Sequence, residues 1–321
     1  MSPLEIIRGI VFCSQTATGV LGNSFLVFLF IFMFLTAHKL RPIDTILIQL
    51  AWANSLMLLF KGVPQTMVAL RLKNFLDDTG CKIVLYLQRV ARALSLSMTC
   101  FLSGFQAITI SPSTSRYIKL KNRTQKSIIP CSVLCWTSHL ILNVIILVKM
   151  KGTRTTRNNS NLLDFEYCST SVASTLTAAL FSVMASLPDV TCVGLIVFAS
   201  GYMMFLLKRH QKRVQHIHVS SLSPRASPEI RATQSIQLLV NTFVFFYSLN
   251  FVLVIYMHLK NPRPWLLHSS NFLAGCFPNI CPFVLISTDS QVIRYFYALL
   301  RHLHLLPSFM SSGLRKVSSP W

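Results

Sequence analysis

The chain has 321 residues, of which 52% are apolar and only 12% are charged. Soluble proteins carry charge on about a quarter of their residues, so this composition excludes an ordinary soluble domain and favours a protein of the lipid bilayer. The net charge of +21 does not indicate binding to nucleic acid, because the basic residues lie in short segments between apolar runs rather than on one patch.

Seven apolar stretches are each long enough to cross a bilayer, which takes about 20 residues of helix. Each must be helical, because in lipid every backbone polar group needs a partner within the chain. The first, fourth and sixth are uninterrupted, whereas the second contains Lys61, the third Arg89 and Arg92, and the fifth Pro188-Asp189. The predicted bounds are Ile10–Leu35, Thr45–Leu70, Cys81–Ile110, Ser127–Val148, Ser171–Leu207, Thr233–Leu259 and Trp265–Ser287. The predicted fold is an all-α membrane protein with seven transmembrane helices.

The predicted organisation is an extracellular N-terminus (1–9), the helical domain (10–287) and a cytoplasmic tail (288–321). The first stretch is too long for a signal-peptide core, so we expect it to remain as the first span. An extracellular N-terminus puts more of the basic residues on the cytoplasmic side than the reverse orientation does, in agreement with the positive-inside rule.

Two of the nine cysteines lie at the predicted outer surface, and the other seven lie within predicted spans. Cys81 opens the third span, and Cys168 ends the loop between the fourth and fifth. Disulfides persist where the environment is oxidising, so a Cys81–Cys168 bridge is predicted to hold this loop over the bundle. The alternative is two unrelated thiols. The same loop contains the sequon Asn158-Asn159-Ser160, which predicts a glycan on Asn158.

A short amphipathic helix is predicted after the seventh span. Asp289-Ser290 can cap it, and Arg294 and Arg301 lie on its polar side. Its apolar face comprises Val292, Ile293, Phe296, Leu299, Leu300 and Leu303. We expect this helix to lie flat on the inner leaflet.

Charged residues at membrane depth are the first candidates for a ligand site, because they are costly there. Arg89 and Arg92 share one face of the third helix, about 12 and 16 Å below Cys81 at 1.5 Å per residue. They could bind a ligand carbonyl, sulfate or carboxylate, or they could pair internally with Asp189. Asp189 could neutralise Arg89, Arg92 or Lys61, or it could instead bind a cationic ligand.

Lys61 and Gln65 share one face of the second helix, with Pro64 between them as a predicted kink. Both are candidates for the ligand pocket. The alternative for Lys61 is that it extends its ammonium group to the outer lipid headgroups.

The cytoplasmic end of the fifth span continues as a basic segment that contains Lys208, Arg209, Lys212 and Arg213. Such a surface could bind anionic lipid or a protein partner. Three nearby histidines lack a cysteine or acid at ligand spacing, so no metal site is predicted. No cofactor is predicted either.

Five segments of the chain resemble vomeronasal type-1 receptors. They read FLTAHKLRPID (34–44), FKGVPQT (60–66), RVAR (89–92), SGFQAITISP (103–112) and RVQHIH (213–218). The resemblance extends from Gly22 to about Leu300. It implies the fold of a G-protein-coupled receptor and detection of volatile, steroid-like or other small organic signals, with activation of an inhibitory-type G protein.

The resemblance also extends the set of site residues. It adds Gln88, which stands where the family usually has histidine, to the ligand site. It also implies that the basic segment with Arg209, Lys212 and Arg213 faces the G protein, together with Gln106 and Arg116. Phe105-Gln106-Ala107 replaces the Asp-Arg-Tyr sequence of most rhodopsin-like receptors, an absence that vomeronasal receptors share. The chain therefore lacks the usual ionic latch at this position.

Other classes of protein are less consistent with the sequence. An intramembrane enzyme would need paired acids, a metal motif or an activated nucleophile within the spans, and none is found. A transporter would favour an internal repeat, and none is found. A bitter-taste-type receptor and a degenerate receptor that no longer signals remain as alternatives.

Overall fold

The computed structural model describes residues 3–37, 41–72, 75–111, 115–144, 150–152, 162–164, 168–171, 175–217, 228–259 and 264–302. These residues form helices α1 (Pro3–Ala37), α2 (Pro42–Ala69), α3 (Asp78–Ile110) and α4 (Ser115–Leu142), strands β1 (Met150–Gly152), β2 (Leu162–Asp164) and β3 (Cys168–Ser171), and helices α5 (Thr175–Ile217), α6 (Pro228–Leu259), α7 (Pro264–Thr288) and α8 (Ser290–His302). The predicted helical bundle is confirmed, and so is a short helix after it.

The long helices form a closed bundle. Helix α3 contacts α2, α4, α5 and α6, while α1 packs between α2 and α7, and α6 packs between α5 and α7. We call the end at which α1 begins the N-terminal side of the bundle and the end at which α8 lies the C-terminal side. Buried Leu26, Phe30, Leu47, Leu50 and Leu102 belong to the apolar core of the C-terminal half.

Six helices, namely α1, α2, α3, α5, α6 and α7, are long and apolar enough to cross a membrane. Helix α4 is not among them, although the sequence made the fourth stretch one of the uninterrupted ones. The described helix begins at Ser115 and includes the basic residues Lys121, Arg123 and Lys126, whereas part of the predicted span, 145–148, lies outside the described residues. Its described part is therefore more polar than the predicted span.

The loop between α4 and α5 contains a small antiparallel sheet that the sequence did not predict. Strands β1 and β2 both pair with β3, and Gly152 lies opposite Cys168 in the register. Strand β1 contacts α3. Other bounds also differ, because α1 begins at Pro3 rather than Ile10, and α5 continues past Leu207 to Ile217.

An ionic cluster on the C-terminal side joins α2 to the junction of α7 and α8. Arg41 Nη2 lies 2.7 Å from Asp44 Oδ1 and 3.4 Å from Asp289 Oδ2, and both carboxylates are fully buried. Tyr295 donates its hydroxyl to Asp44 Oδ2 at 3.3 Å. Asp289 accepts the amide hydrogens of Gln291 and Val292 at 2.8 and 3.2 Å, so it caps α8 as predicted.

The surroundings of this cluster fix its protonation. Burial lowers the pKa of Arg41, but the carboxylates of Asp289 and Asp44 more than offset this, and the pKa is raised overall. Burial, with the Asp44 carboxylate beside it, raises the pKa of Tyr295 to about 12. The guanidinium therefore stays charged and the phenol stays protonated, so both remain donors to the acids.

The apolar face of α8 packs against the bundle. Val292, Tyr295 and Leu299 are buried, and Tyr295 and Phe296 make edge-to-face contacts with Phe30 and Phe25 of α1 at 6.1 Å. Arg294 and Arg301 are exposed, as predicted. Of the face that we expected to lie on lipid, Val292 and Leu299 are buried against the bundle, whereas Ile293, Phe296 and Leu300 are half-buried.

Candidate functional site

A cavity of about 40 Å³ lies between α2, α3, α6 and α7. Its apolar wall is mainly Phe243, Phe246 and Phe277, and its polar lining includes Arg92 and Asn250. Arg92 lies roughly 21 Å along α3 from Asp78 at 1.5 Å per residue, which is within the N-terminal half of this helix. A mostly aromatic wall with few polar groups is typical of small-molecule sites.

Arg92 is the centre of a polar cluster that spans three helices. Its Nη2 lies 3.5 Å from Asp189 Oδ2 of α5 and donates to the hydroxyl of Tyr247 of α6 at 3.0 Å. The guanidinium also lies over the Tyr247 ring, 5.6 Å from its centroid. The Tyr247 hydroxyl donates in turn to Asp189 at 3.5 Å. The prediction that Asp189 pairs with Arg89, Arg92 or Lys61 is confirmed for Arg92.

An aromatic stack runs from this cluster toward the C-terminal side. Tyr247 stacks on Phe243 at 5.3 Å between ring centroids, and Phe243 meets Phe277 of α7 edge to face at 4.8 Å. These arrangements match the preferred geometries of aromatic pairs. The polar cluster is thereby in contact with α6 and, through Phe243, with α7.

Ser95 of α3 also lines the cavity. Its hydroxyl donates at 2.7 Å to Asn54 Oδ1, and Asn54 is fully buried in α2. This hydrogen bond joins α2 to α3 next to the cavity.

Arg89 and Gln88 lie beside this cluster rather than in the cavity wall. Arg89 is exposed and lies within electrostatic range of Arg92 and Asp189, and Gln88 is half-buried. Neither residue lines the cavity. Of the residues predicted to bind ligand, Arg92 lines this cavity.

Lys61 lines a second, smaller cavity of about 10 Å³ between α1, α2 and α7. Met57 lines both cavities, so they are neighbours. Gln65, one turn further along α2, is buried and lines neither. The structure thus brings Lys61 close to the Arg92 cluster but separates Gln65 from both cavities.

Sequence reasoning missed the contribution of α6. Tyr247, Phe243 and Asn250 carry no charge, and their spacing is that of an ordinary apolar helix, so no local pattern distinguishes them. Asn250 accepts a hydrogen bond from Ser270 of α7 at 2.7 Å, and both are buried. Asn250, a polar residue within an apolar span, is the one sequence feature that would have indicated this face of α6.

The outer-loop predictions are only partly within the described residues. Cys81 is disulfide-bonded and fully buried at the start of α3. Cys168 begins β3, but its side chain is not described. Asn158 lies outside the described residues.

The residues predicted to face a G protein differ in their placement. Arg209 is exposed near the end of α5 on the C-terminal side. Arg116, Lys212 and Arg213 lie on helices, but their side chains are outside the described set. Gln106 lies a turn before the end of α3, and its side chain is 5% exposed and inside the bundle.

Comparison with known proteins agrees with the helical bundle. The vomeronasal organ pheromone receptor family matches residues 6–298. The chain is 43% identical to human vomeronasal type-1 receptor 1 over 95% of the chain and 87% of that protein, and 42% identical to human vomeronasal type-1 receptor 3 over 92% and 94%. It is also 31% identical to olfactory receptor class A-like protein 1 of Danio rerio over 89% of the chain and 90% of the relative.

Both the resemblance read from the sequence and the assignment to receptors rather than enzymes are confirmed by these matches. The described helices that could cross a membrane agree with a multi-pass membrane protein. The chain therefore belongs to the vomeronasal organ pheromone receptor family, a family of chemosensory receptors.

Proposed function

We propose that this receptor binds small organic ligands, volatile or steroid-like, in the cavity beside Arg92 and signals through a heterotrimeric G protein of the inhibitory type. In this proposal the N-terminal side of the bundle is extracellular and the C-terminal side faces the cytoplasm. The supporting observation is the Arg92–Asp189–Tyr247 cluster, which joins α3, α5 and α6 at the edge of an aromatic cavity. A ligand that displaces one of these contacts changes how three helices are held together.

The size of the cavity limits how a ligand enters. Pockets for drug-sized molecules measure about 300–1,000 Å³, whereas this cavity measures about 40 Å³. A ligand of more than a few atoms must therefore move side chains or separate helices. A ligand can open the cavity only if it binds the opened state more tightly than the closed state. Any ligand that activates a receptor must meet this thermodynamic requirement.

The test is expression with a promiscuous G protein and exposure to a panel of small volatiles, steroids and sulfated steroids. We expect a dose-dependent response that Arg92→Ala and Asp189→Ala abolish or shift by at least tenfold at equal surface expression. Arg71→Ala is the matched control, since Arg71 pairs with Glu5 at 2.7 Å on the N-terminal side, away from the cavity. Responses of both cavity variants that equal the wild type would exclude this ligand site.

A response to none of the compounds, with receptor confirmed at the cell surface, would favour the alternative of a receptor that no longer signals. Coupling to the inhibitory G protein is tested separately by pertussis toxin, which we expect to abolish the response with the native G protein. A response that resists the toxin would contradict the proposed subtype.

We also propose that Cys81 pairs with Cys168 and that Asn158 carries a glycan. Cys81 is disulfide-bonded, and the seven cysteines other than Cys81 and Cys168 are free, which supports the pairing. If the two form one bond, Cys81→Ser, Cys168→Ser and the double variant lose surface expression to the same extent. If Asn158 is glycosylated, Asn158→Gln loses the mass that a glycosidase removes from the wild type.

The G-protein surface is proposed to include Arg209, with Arg116, Lys212 and Arg213. The exposed position of Arg209 near the end of α5 supports this. Anionic lipid on the cytoplasmic leaflet is the competing partner of this basic segment. If the segment binds the G protein, removal of these charges reduces coupling efficiency and leaves ligand potency unchanged. If it binds lipid, their removal reduces the affinity of the isolated segment for membranes.

A further inference from the structure

Lys61 is a cation in the interior of the bundle whose ammonium group makes no hydrogen bond or ion pair with the residues that the structure describes. It lies roughly 12 Å along α2 from Ala69, at 1.5 Å per residue. A charge at this depth is costly unless something compensates it. Its side chain is half-buried and lines the cavity between α1, α2 and α7.

The neighbours of Lys61 supply no negative charge. Gln15 and Thr16 share its cavity, but Gln15 already donates to the Phe272 carbonyl at 3.1 Å and Thr16 to the Phe12 carbonyl at 2.7 Å. Asn271, the remaining polar side chain of the cavity wall, is also uncharged.

The ion pairs of the described residues do not include Lys61 either. Asp189 is engaged by Arg92, and Glu5 by Arg71, so neither acid is paired with Lys61. Arg92 lies within electrostatic range of Lys61 and has the same sign. Lys61, Arg89 and Arg92 are three cations near the one acid Asp189, and this excess of positive charge favours a negatively charged group beside them.

The walls of this cavity are held close together by glycines. A side chain on Gly62 would overlap Thr16 Oγ1, and a Cβ on Gly275 would lie 2.8 Å from Gln15 Oε1. These close approaches fix α1 against α2 and α7. The space they leave, about 10 Å³, is room for about one oxygen atom beside Lys61.

We infer that Lys61 forms a separate subsite that binds one oxyanion oxygen of an organic acid, whose apolar part extends past Met57 into the aromatic cavity beside Arg92. This inference rests on the proposed function, and it adds the chemical class of the ligand and the position of its charged group. The ammonium donates to a carboxylate or sulfate oxygen, while Met57, an unbranched and adaptable side chain, moves aside to connect the two cavities. The positive charge of Lys61 is then balanced by a negative charge only when ligand is bound.

The subsite is tested by thermal unfolding of the purified receptor in nanodiscs with octanoate, octyl sulfate, octanol or octylamine. For the wild type we expect octanoate and octyl sulfate, or one of them, to raise Tm by at least about 2 °C more than octanol does, since ligand binding to the native state stabilises it. Octylamine gives no such rise. The two anions distinguish a carboxylate site from a sulfate site.

The variants separate a binding role from a structural one. Lys61→Met is expected to lose the anion-specific rise while its ligand-free Tm stays equal to or above that of the wild type. Lys61→Arg retains the rise. Lys126→Met, which removes an exposed lysine of α4, behaves as the wild type and controls for charge effects on the membrane.

Each other outcome overturns the inference. An anion-specific rise that persists in Lys61→Met places the anion elsewhere, and a wild type without such a rise has no oxyanion subsite. A ligand-free Tm of Lys61→Met below the wild type shows that Lys61 makes a structural contact instead. Because unfolding needs no signalling, failure here leaves the cell-based response as an independent test of the proposed function.

Discussion

Arg41 is predicted to stabilise the C-terminal side of the bundle, where it is the cation between two fully buried carboxylates, Asp44 and Asp289. Breaking a buried ion pair costs about 3–5 kcal/mol, and an exposed pair contributes at most about 1 kcal/mol. The Arg41 side chain is 26% exposed, so we expect Arg41→Ala to cost about 2–3 kcal/mol. At 2–4 °C per kcal/mol, the loss corresponds to a fall in Tm of roughly 4–12 °C.

The structure also supplies the assay. Cys276 and Cys281 are free and buried, so a thiol-reactive fluorophore labels them only as the purified receptor unfolds. Arg41→Lys keeps the charge but loses the fork of the guanidinium, and we expect an intermediate Tm. Arg209→Ala, at an exposed arginine, is the control and should change stability by less than about 0.5 kcal/mol. An Arg41→Ala receptor that melts within 1–2 °C, roughly 0.5 kcal/mol, of this control would refute the reasoning.

Three further predictions follow from single contacts. Gly62→Ala places a methyl group on Thr16 Oγ1 and should destabilise the receptor by about 1–3 kcal/mol. Adding Thr16→Ala should partly restore surface expression. Expression of Gly62→Ala at the wild-type level would contradict this packing. Tyr247→Phe removes the 3.0 Å contact to Arg92 but keeps the ring, so the concentration for half-maximal response should rise about tenfold; an unchanged value would mean that this contact plays no part. The Tyr295 phenol has a pKa of about 12, above the value of about 10 in the unfolded chain. The stability that the protonated phenol contributes is therefore complete below pH 10 and is lost as the pH rises to 12. The Tm of Tyr295→Phe should fall less than that of the wild type over this range, and an equal fall would contradict the raised pKa.

The bundle was predictable from the sequence because lipid imposes one rule on every span. Long apolar runs must become helices, and the charges that interrupt them must find partners inside the bundle. Arg92 and Asp189 illustrate this, since their residue types and depths predicted an internal contact, which the structure contains. Asp289 likewise caps α8 as its position before the helix predicted.

The parts that were not predictable depend on rotation and packing rather than on composition. Gln106 lies close to the end of α3, yet the orientation of its helix face places it inside the bundle. Gln65 shares a helix face with Lys61 but lies a turn beyond the cavity. Tyr247 is one aromatic residue among many in an apolar helix, and only its contact with Arg92 distinguishes it.

The loop between α4 and α5 was also beyond sequence reasoning. Its strands are three or four residues long, too short for a period-two pattern to stand out. Both their pairing and the contact of β1 with α3 join segments that are distant in the sequence, which no local pattern encodes.

The central claim, that ligand binds in the aromatic cavity beside Arg92, is tested most directly by filling that cavity. Leu273 lines it, whereas Leu249 of α6 is exposed on the outside of the bundle. At equal surface expression, Leu273→Trp is predicted to abolish the agonist response and Leu249→Trp to leave it unchanged. An agonist response of Leu273→Trp equal to that of the wild type would contradict the claim.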